Sequence, residues 1–304
     1  MTADAASAPT VVYIGGAGRS GSTLLDNVLG SSPGWFSAGE LRLLWSARQL
    51  WTHQCGCGQP LRECELWSAV LREVGAVDLS WAAGMERRVL RSRQTWRLLQ
   101  RQGVGALPGG RDYAALTGRL LRAITAVTGD RVVVDSSKSP IGVAVLATAG
   151  ARVAAVHLVR DPRAVAWSWQ RPNMTVTSAR PLKQRGVASA AMEWTTNNFA
   201  MEAVMRRSRV RRTRIRYEDL IDRPGHGLSA IAEAVGSDLE VRLSGTTVSL
   251  GPNHTVAGNP SRFRIGDVHL RRDDEWRSRL PRHDRRVATA LTSPLLLRYG
   301  YPLR

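Results

Sequence analysis

The sequence predicts an α/β fold, a single domain in which helices flank a central parallel β-sheet. Strand-like apolar runs alternate with segments of helical periodicity, a pattern typical of a parallel sheet covered on both faces. The chain has 304 residues, 43% of them hydrophobic, which is enough for one large core. No linker rich in Pro, Gly or Ser divides it. We therefore treat residues 1–304 as one domain and expect residues 1–9 to be a disordered N-terminus.

The first unit is a strand, a glycine-rich turn and a helix. The apolar run Val11–Ile14 leads into the turn Gly15–Thr23, and residues 24–29 follow with apolar positions at helical spacing. The backbone N–H groups of such a turn and of the helix N-terminus form a cradle for an anion.

The turn departs from the phosphate-binding loop of NTPases at one position. Gly16, Gly21 and Thr23 match the glycine and hydroxyl positions of that loop. Ser22, however, stands where the loop lysine belongs, and the cation is Arg19, inside the loop. This indicates a phosphate ligand other than a nucleoside triphosphate.

The remaining elements continue the alternation. Helical periodicity covers residues 41–51, 64–74, 78–102, 111–128, 162–169 and 185–208, and strand-like runs cover 131–135, 151–159 and 213–216. Ligands of such folds bind at the carboxyl ends of the strands. Clusters with candidate functional side chains fall there at residues 19–23, 137–138, 160–168 and 217.

The glycine-rich turn resembles the 5′-phosphosulfate loop of sulfotransferases that use 3′-phosphoadenosine 5′-phosphosulfate (PAPS). The arginine within the loop resembles the carbohydrate, tyrosylprotein and many bacterial members, which also have arginine at this position. The cytosolic branch has lysine there. The resemblance implies a P-loop-like sulfotransferase fold, PAPS as donor and adenosine 3′,5′-bisphosphate as product. A glycine-rich turn without a ligand is the alternative. The donor-binding residues that the resemblance implies in the loop are Gly18, Arg19, Ser20, Gly21, Ser22 and Thr23.

A second segment resembles the 3′-phosphate site of the same family. By that resemblance Arg160, after a strand, and Ser168, two helical turns later, hold the 3′-phosphate; an ion pair of Arg160 with a carboxylate is the alternative. Tyr217 would lie near the nucleotide, or else be a core tyrosine. In a C-terminal basic loop, either Arg262 or Arg264 would close over the 3′-phosphate.

The resemblance also implies in-line transfer of a sulfuryl group to a hydroxyl of a small metabolite, glycolipid or carbohydrate. In such a reaction the protein positions the groups and stabilises charge. We assign that charge stabilisation to Arg19 and Lys138, although Lys138 could instead be a solvent-exposed lysine. Glu40 matches the base of the tyrosylprotein branch, but a glutamate at a helix start could equally be a cap. His53 is the alternative base, as in the cytosolic branch.

Residues 53–128 are expected to be a helical insertion on the acceptor side. Tryptophans near the candidate base, Trp35, Trp45 and Trp51, could line an aromatic or glycoside pocket or could belong to the core.

Three cysteines and a histidine lie close together in the sequence. His53, Cys55, Cys57 and Cys64 could supply four zinc ligands, although the Cys-x-Cys spacing is unusual. A disulfide and reduced structural thiols are the other possibilities. The proposed chemistry needs no metal, so we assign none.

Charge and hydropathy limit the partners. A net charge of +18 favours an anionic partner, but the basic residues are not interleaved with aromatics as in a nucleic-acid site, so we expect no nucleic acid. Without about 18 consecutive apolar residues we expect no membrane span, and without a signal peptide we expect a cytoplasmic enzyme. The oligomeric state stays open. The rival functions are a P-loop-like kinase or ATPase and a non-catalytic nucleotide-binding relative.

Overall fold

A central parallel sheet organises the protein, as the sequence predicts. The computed structural model describes residues 8–46, 53–100, 103–171 and 184–303. Within these residues, five parallel strands pair in the order β2-β3-β1-β4-β5. Their bounds are β1 Thr10–Gly15, β2 Trp35–Gly39, β3 Val132–Lys138, β4 Arg152–Val159 and β5 Arg211–Arg216. The predicted α/β fold class is therefore confirmed.

Helices cover both faces of the sheet. They are α1 Ser22–Leu29, α2 Glu65–Val74, α3 Leu79–Val89, α4 Ser92–Gln100, α5 Gly110–Thr128, α6 Pro140–Thr148, α7 Pro162–Gln170, α8 Val187–Arg207, α9 Tyr217–Asp222, α10 Pro224–Val235, α11 Trp276–Arg279 and α12 Arg282–Arg298. Side chains of β1 alternate between the faces. Val11 and Tyr13 pack in the core beneath α2, α5, α6 and α8, whereas Val12 and Ile14 pack against α1, α9 and α10.

Two helical predictions need correction. The pattern over 78–102 forms two helices, α3 and α4, with the break at Leu90 and Arg91. No Gly or Pro marks that break. The pattern starting at Leu41 forms only a 3₁₀ turn, Leu41–Leu43, before residues 47–52, which lie outside the described residues. Here Arg42 bonds Ser137 through both its backbone N–H and its side chain, which holds the turn against β3.

A second sheet was not predicted. In the described part of the chain, β6 Leu243–Ser244, β7 Thr247–Leu250 and β8 Gly266–His269 form an antiparallel sheet. Its strands are short, and β6 and β8 are largely exposed, so they lack the apolar runs that mark the buried strands. Val248 and Leu250 of β7 point into the core beside α1.

The N-terminal segment expected to be disordered is only partly described. Residues 1–7 lie outside the described residues, while the carbonyl of Pro9 accepts a hydrogen bond from Arg152 N–H at 2.9 Å.

Among the described helices, none is both long and apolar enough to cross a membrane.

Register places the candidate residues at one edge of the sheet. Gly15, at the end of the central strand β1, pairs with Lys138 on β3 and with His157 on β4. The glycine-rich turn follows at once. Strand β4 ends one residue before Arg160, and β5 ends just before Tyr217. The predicted cluster at the carboxyl ends of the strands is therefore present.

Candidate functional site

A cleft of about 1500 Å³ opens at the carboxyl ends of the strands. Sites for single drug-sized ligands measure roughly 300–1,000 Å³, so this cleft has room for two reactants. The predicted residues that line it are Gly18, Arg19, Gly21, Ser22, Thr23, Glu40, His53, Lys138, Arg160, Ser168, Tyr217 and Arg264.

The glycine-rich turn is fitted closely to its surroundings. Gly21 has φ of 91°, in the left-handed region that favours glycine. A Cβ at this position would lie 2.5 Å from Cδ2 of Tyr217. The Gly21 carbonyl accepts hydrogen bonds from the N–H groups of Leu24 and Leu25, which starts α1. The turn thus brings backbone N–H groups to the cleft at the N-terminus of α1, where an anion is favoured.

Arg19 joins the turn to α7. Its Nε donates to Ser168 Oγ at 3.0 Å, and its guanidinium lies 5.7 Å from the ring centre of Trp169. Burial, together with the charges of Arg160 and Arg171, lowers the pKa of Arg19 to about 10. Arg19 therefore stays positive at neutral pH in a cleft that already holds other cations.

Lys138 occupies the region where an NTPase loop would place its lysine. Its Nζ lies 3.3 Å from Oγ of Ser22, the residue at the lysine position of the loop. Nζ also donates to the Ser136 carbonyl at 2.9 Å and to Glu40 Oε1 at 2.8 Å. The lysine that the turn lacks at position 22 is thus replaced in space by Lys138 of the neighbouring strand β3.

The two candidate catalytic cations share an unusual backbone conformation. Arg19 has φ of 69° and Lys138 has φ of 63°. Residues other than glycine rarely adopt positive φ, and such conformations cost about 1–3 kcal/mol each and cluster at functional sites. Among the described residues other than glycine, only Arg209 shares this conformation.

Glu40 is held between two cations. Its Oε1 accepts from Lys138, and its Oε2 lies 3.2 Å from Arg42 Nη2. Burial raises the pKa of Glu40, but Lys138 and Arg42 together outweigh burial, so the pKa lies below its ordinary value. In the described structure the carboxylate makes no capping hydrogen bond to the 3₁₀ turn that it precedes. The capping alternative therefore has no contact to support it.

A second group of cations meets on one carboxylate. Arg160 Nη2 lies 3.0 Å from Asp273 Oδ2, and Arg171 Nη2 lies 2.6 Å from the same oxygen. Burial raises the pKa of Asp273, but its hydrogen bonds and charge interactions with the two arginines outweigh burial and lower the pKa. The sequence left Arg160 as a phosphate ligand or as a partner of a carboxylate, and the structure shows the carboxylate pair inside the cleft.

Tyr217 supports this second group. The guanidinium of Arg160 stacks over the Tyr217 ring at 4.5 Å from its centre, while Arg160 Nη1 donates to the Arg19 carbonyl at 3.1 Å. Tyr217 is therefore packed under the turn and beside Arg160, and it also lines the cleft.

Two predicted ligand residues do not line the cleft. The Ser20 side chain is 1% exposed, and Arg262 is completely buried. The guanidinium of Arg262 donates to the carbonyls of Thr255 and Gln54, at 3.0 and 2.6 Å. Of the two arginines between which the sequence could not choose, Arg264 is the one at the cleft.

The tryptophans near the candidate base were interpreted from sequence either as pocket residues or as core residues. Trp35 is buried with its Nε1 donating to the Asp238 carbonyl at 2.8 Å, and Trp45 is buried in the core beneath the sheet. Trp51 lies outside the described residues. The core interpretation holds for the first two.

Sequence reasoning missed several groups of this site. Arg42, Arg171 and Asp273 line the cleft. Beneath it, Asp26 accepts hydrogen bonds from the hydroxyls of Ser37 and Ser136, each at 2.5 Å. Nothing in the local sequence distinguishes these residues from surface charges, because each of them has at least one partner in a distant part of the chain.

The cysteine cluster forms with a different histidine. Cys55, Cys57 and Cys64 lie together, but the nearby imidazole belongs to His254. His53, which the sequence suggested, lines the cleft instead.

Comparison with known proteins agrees with this architecture. The sulfotransferase domain from the curacin biosynthetic pathway is 20% identical, with a TM-score of 0.54 over 97% of this chain and 99% of that domain. The sulfotransferase domain of the Synechococcus PCC 7002 olefin synthase is 23% identical, with a TM-score of 0.51 over 97% and 96%. At these identities the likeness shows the P-loop-like fold alone.

Sequence comparison establishes the family. A search of curated proteins finds no match. The profile of the Sulfotransferase family, however, matches residues 9–240, which include the turn, Glu40, Lys138, Arg160 and Tyr217. Because that match spans most of the 304 residues, the chain belongs to the sulfotransferase family.

Proposed function

We propose that this protein transfers a sulfuryl group from PAPS to a hydroxyl of a small metabolite, glycolipid or carbohydrate, by in-line displacement. The observation that carries the proposal is the pair of cationic sites in one cleft. Arg19, Lys138 and the N-terminus of α1 form one site, and Arg160 with Arg171 forms the other.

The two sites suit a ligand with two separate anionic ends. PAPS has a 5′-phosphosulfate and a 3′-phosphate, whereas a nucleoside triphosphate has a single run of phosphates. At the second site Asp273 provides a carboxylate between two arginines, and paired arginine donors of this kind also match phosphate. The kinase and ATPase alternative explains the first site but not the second.

N–H groups without a partner at the second site are consistent with PAPS binding there. Within the described residues, the buried Nε atoms of Arg160 and Arg171 have no hydrogen-bond partner. Buried N–H groups of this kind are expected to have a hydrogen-bond partner. We assign the 3′-phosphate to Arg160, Ser168 and Arg171, and the 5′-phosphosulfate to the backbone of residues 18–23 with Arg19 and Lys138. Arg264 lies at the cleft as the candidate closing residue.

The cleft residues divide the work of the reaction. Bound PAPS supplies an activated sulfuryl group on a phosphate leaving group. Glu40 takes the proton of the acceptor hydroxyl as the acceptor oxygen bonds to sulfur and the bond from sulfur to the bridging oxygen breaks. Lys138 and Arg19 stabilise the negative charge that gathers on the bridging and phosphate oxygens. Sulfated acceptor and adenosine 3′,5′-bisphosphate are the products.

The first experiment is a thermal-shift titration with adenosine 3′,5′-bisphosphate, beside adenosine 5′-monophosphate, ATP-Mg and GTP-Mg. A ligand that binds only the folded protein adds about 2.7 kcal/mol at about 100 times its Kd. We expect the bisphosphate to raise Tm most, and the monophosphate, which lacks the 3′-phosphate, to raise it less. Arg160→Gln should remove that difference while the monophosphate response stays.

The rivals predict other outcomes. Stabilisation by a triphosphate alone would support the kinase or ATPase reading. If the bisphosphate binds but radiolabelled PAPS gives no sulfated product across hydroxyl acceptors of the three classes, the non-catalytic relative is favoured. A sulfated product identifies the acceptor class directly.

A further inference from the structure

The three cysteines of the chain gather around one imidazole. Ligand atoms of Cys55, Cys57, Cys64 and His254 all lie within 4.8 Å of one another. His254 Nδ1 lies 3.3 Å from Cys64 Sγ and 3.6 Å from Cys55 Sγ. The sulfurs of Cys57 and Cys64 are 3.9 Å apart. Cys55 and Cys64 are buried, whereas Cys57 is exposed.

The separations of 3.3, 3.6 and 3.9 Å are close to those of ligands around a tetrahedral zinc ion. With Zn–S near 2.3 Å and Zn–N about 2.0–2.1 Å, tetrahedral angles put two sulfurs about 3.8 Å apart and a sulfur and a nitrogen about 3.6 Å apart. A disulfide needs sulfurs about 2.05 Å apart, much closer than the 3.9 Å between Cys57 and Cys64. The cluster therefore has the dimensions of a metal site.

We propose that Cys55, Cys57, Cys64 and His254 bind a structural zinc ion. Three thiolates and one imidazole form a donor set that is typical of closed, tetrahedral zinc sites. Because the protein fills all four positions, none is left for water or substrate, so this zinc does not take part in catalysis. The proposal replaces the metal-free assignment made from sequence, with His254 in the place of His53.

Contacts around the cluster are those of a built site. Gly56 N–H donates to the Thr255 carbonyl at 3.0 Å, and Trp67 Nε1 donates to the His254 carbonyl at 2.6 Å. The buried Arg262 joins Gln54 to Thr255, the residues adjoining Cys55 and His254. Zinc with three thiolates carries a net charge of about −1, and the Arg262 cation is placed to balance it.

The ion would fasten two separate segments of the cleft wall. The cysteine segment begins at His53, and His254 is followed closely by Ala257, Gly258 and Asn259. His53 and these last three residues line the cleft. In the sequence the two segments are about 200 residues apart. A metal bond between them would hold the cleft open in one shape and would raise the stability of the whole domain.

The test is the metal content of the full-length protein. Protein expressed with zinc in the medium and dialysed without chelator should contain about one zinc ion per chain, as measured by elemental mass spectrometry. Cys57→Ser and His254→Gln should each lower that content severalfold. His53→Gln is the matched control and should retain the metal. Cobalt bound in place of zinc should give the visible bands of a tetrahedral thiolate centre, weaker in Cys57→Ser.

Stability gives a second readout that does not depend on activity. A strong chelator should lower the Tm of the wild-type protein but leave the Tm of folded Cys57→Ser nearly unchanged. Cys57 is exposed, so this variant is informative even where a substitution of buried Cys64 prevents folding.

Other outcomes overturn the proposal. A metal-free protein whose intact mass is about 2 Da below the mass calculated from the sequence contains a disulfide instead. A metal-free protein with three titratable thiols has structural cysteines only. Zinc that stays bound in both Cys57→Ser and His254→Gln is adventitious and lies elsewhere.

Discussion

Ion pairs between single side chains set the chemistry of the cleft. Glu40 has the position proposed for a base, yet both its oxygens contact cations, Lys138 and Arg42. Those cations hold the pKa of Glu40 below its ordinary value despite burial, which acts in the opposite direction. The carboxylate is therefore ionised and ready to accept a proton over the whole neutral range, although it is a weaker base than a histidine.

Glu40→Gln is the direct test of this role. We expect kcat to fall by about 10²–10⁴-fold because general-base catalysis typically contributes that much. Affinity for adenosine 3′,5′-bisphosphate, measured by calorimetry, should change little. In the wild-type protein kcat should stay level from about pH 8 down to about pH 5, since an ionised carboxylate with a low pKa does not titrate there.

His53→Gln is the matched variant and should retain most of the activity. If kcat instead falls below about pH 7, where imidazole ordinarily gains a proton, and His53→Gln is the inactive variant, the histidine is the base and Glu40 positions Lys138.

Under the proposed function, Asp273 competes with the 3′-phosphate for the arginines of the second cationic site. Its carboxylate contacts both Arg160 and Arg171, the residues that we assign to the 3′-phosphate. A carboxylate and a phosphate cannot occupy the same guanidinium donors at once. If the proposed 3′-phosphate takes these Nη2 atoms as well as the Nε atoms, Asp273 must lose its contacts when PAPS binds.

Asp273→Asn should strengthen the binding of adenosine 3′,5′-bisphosphate severalfold. The change removes the competing negative charge, and a partly exposed pair of this kind is worth about 0.2–1 kcal/mol. Calorimetry with adenosine 5′-monophosphate is the control, because that ligand lacks the 3′-phosphate and should bind as before. Weaker binding of the bisphosphate would mean that Asp273 positions the arginines rather than competing for them.

At the scale of elements, the turn between β1 and α1 depends on its packing against α9. Gly21 takes a left-handed conformation and faces the ring of Tyr217. The same ring supports Arg160. One tyrosine therefore links the geometry of both proposed anion sites, so a disturbance of the turn should reach the second site.

Gly21→Ala should lower bisphosphate affinity at least about tenfold. A Cβ would meet the Tyr217 ring at 2.5 Å, and positive φ adds about 1–2 kcal/mol for any residue with a Cβ. Gly150→Ala is the matched control because Gly150 also has positive φ, 83°, with no atom within 4 Å of an added Cβ, and precedes β4 at the opposite edge of the sheet. That variant should lose stability while its affinity stays unchanged. Equal affinity in both variants would contradict the packing argument.

At the scale of the whole molecule, the sheet buries carboxyl groups beneath the cleft. Burial raises the pKa of Asp26 to about 7, although hydrogen bonds from Ser136 and Ser37 act to lower it. Burial also raises the pKa of Asp135 to about 6. Each group keeps a proton in the folded protein at a pH where the unfolded chain has released it. Its stabilising contribution is complete below about pH 4 and is lost as the pH rises through the folded value.

The free energy of unfolding should show this dependence. Relative to Asp26→Asn, which stays neutral, the wild-type protein should lose on the order of a few kcal/mol between about pH 4 and pH 7. Urea denaturation across that range measures the difference. Asp112→Asn removes an exposed carboxylate from the first turn of α5 and controls for the change in net charge. If wild type and Asp26→Asn show parallel pH profiles, Asp26 is ionised in the folded protein.

The sequence predicted the parts of the molecule whose signals are local. Val11–Ile14 and Ala151–Val159 are apolar runs long enough to mark buried strands, and both are strands in the structure. The turn at Gly21 is predicted by the glycine spacing. The start of α7 is predicted by Pro162, because the fixed conformation of proline suits the first turn of a helix. The antiparallel strands and the break at Leu90 have no such local signal, because their geometry comes from packing.

What the sequence alone determined is therefore the fold class, the glycine-rich turn and most of the residues at the cleft, since strand ends and glycine spacing are encoded within short windows. The tertiary structure decided which side chains meet. It brought Lys138 from β3 to the vacant lysine position at Ser22, joined His254 to the cysteines in place of His53, and buried Arg262 while leaving Arg264 at the cleft. These choices depend on contacts between residues far apart in the chain, which no local pattern records.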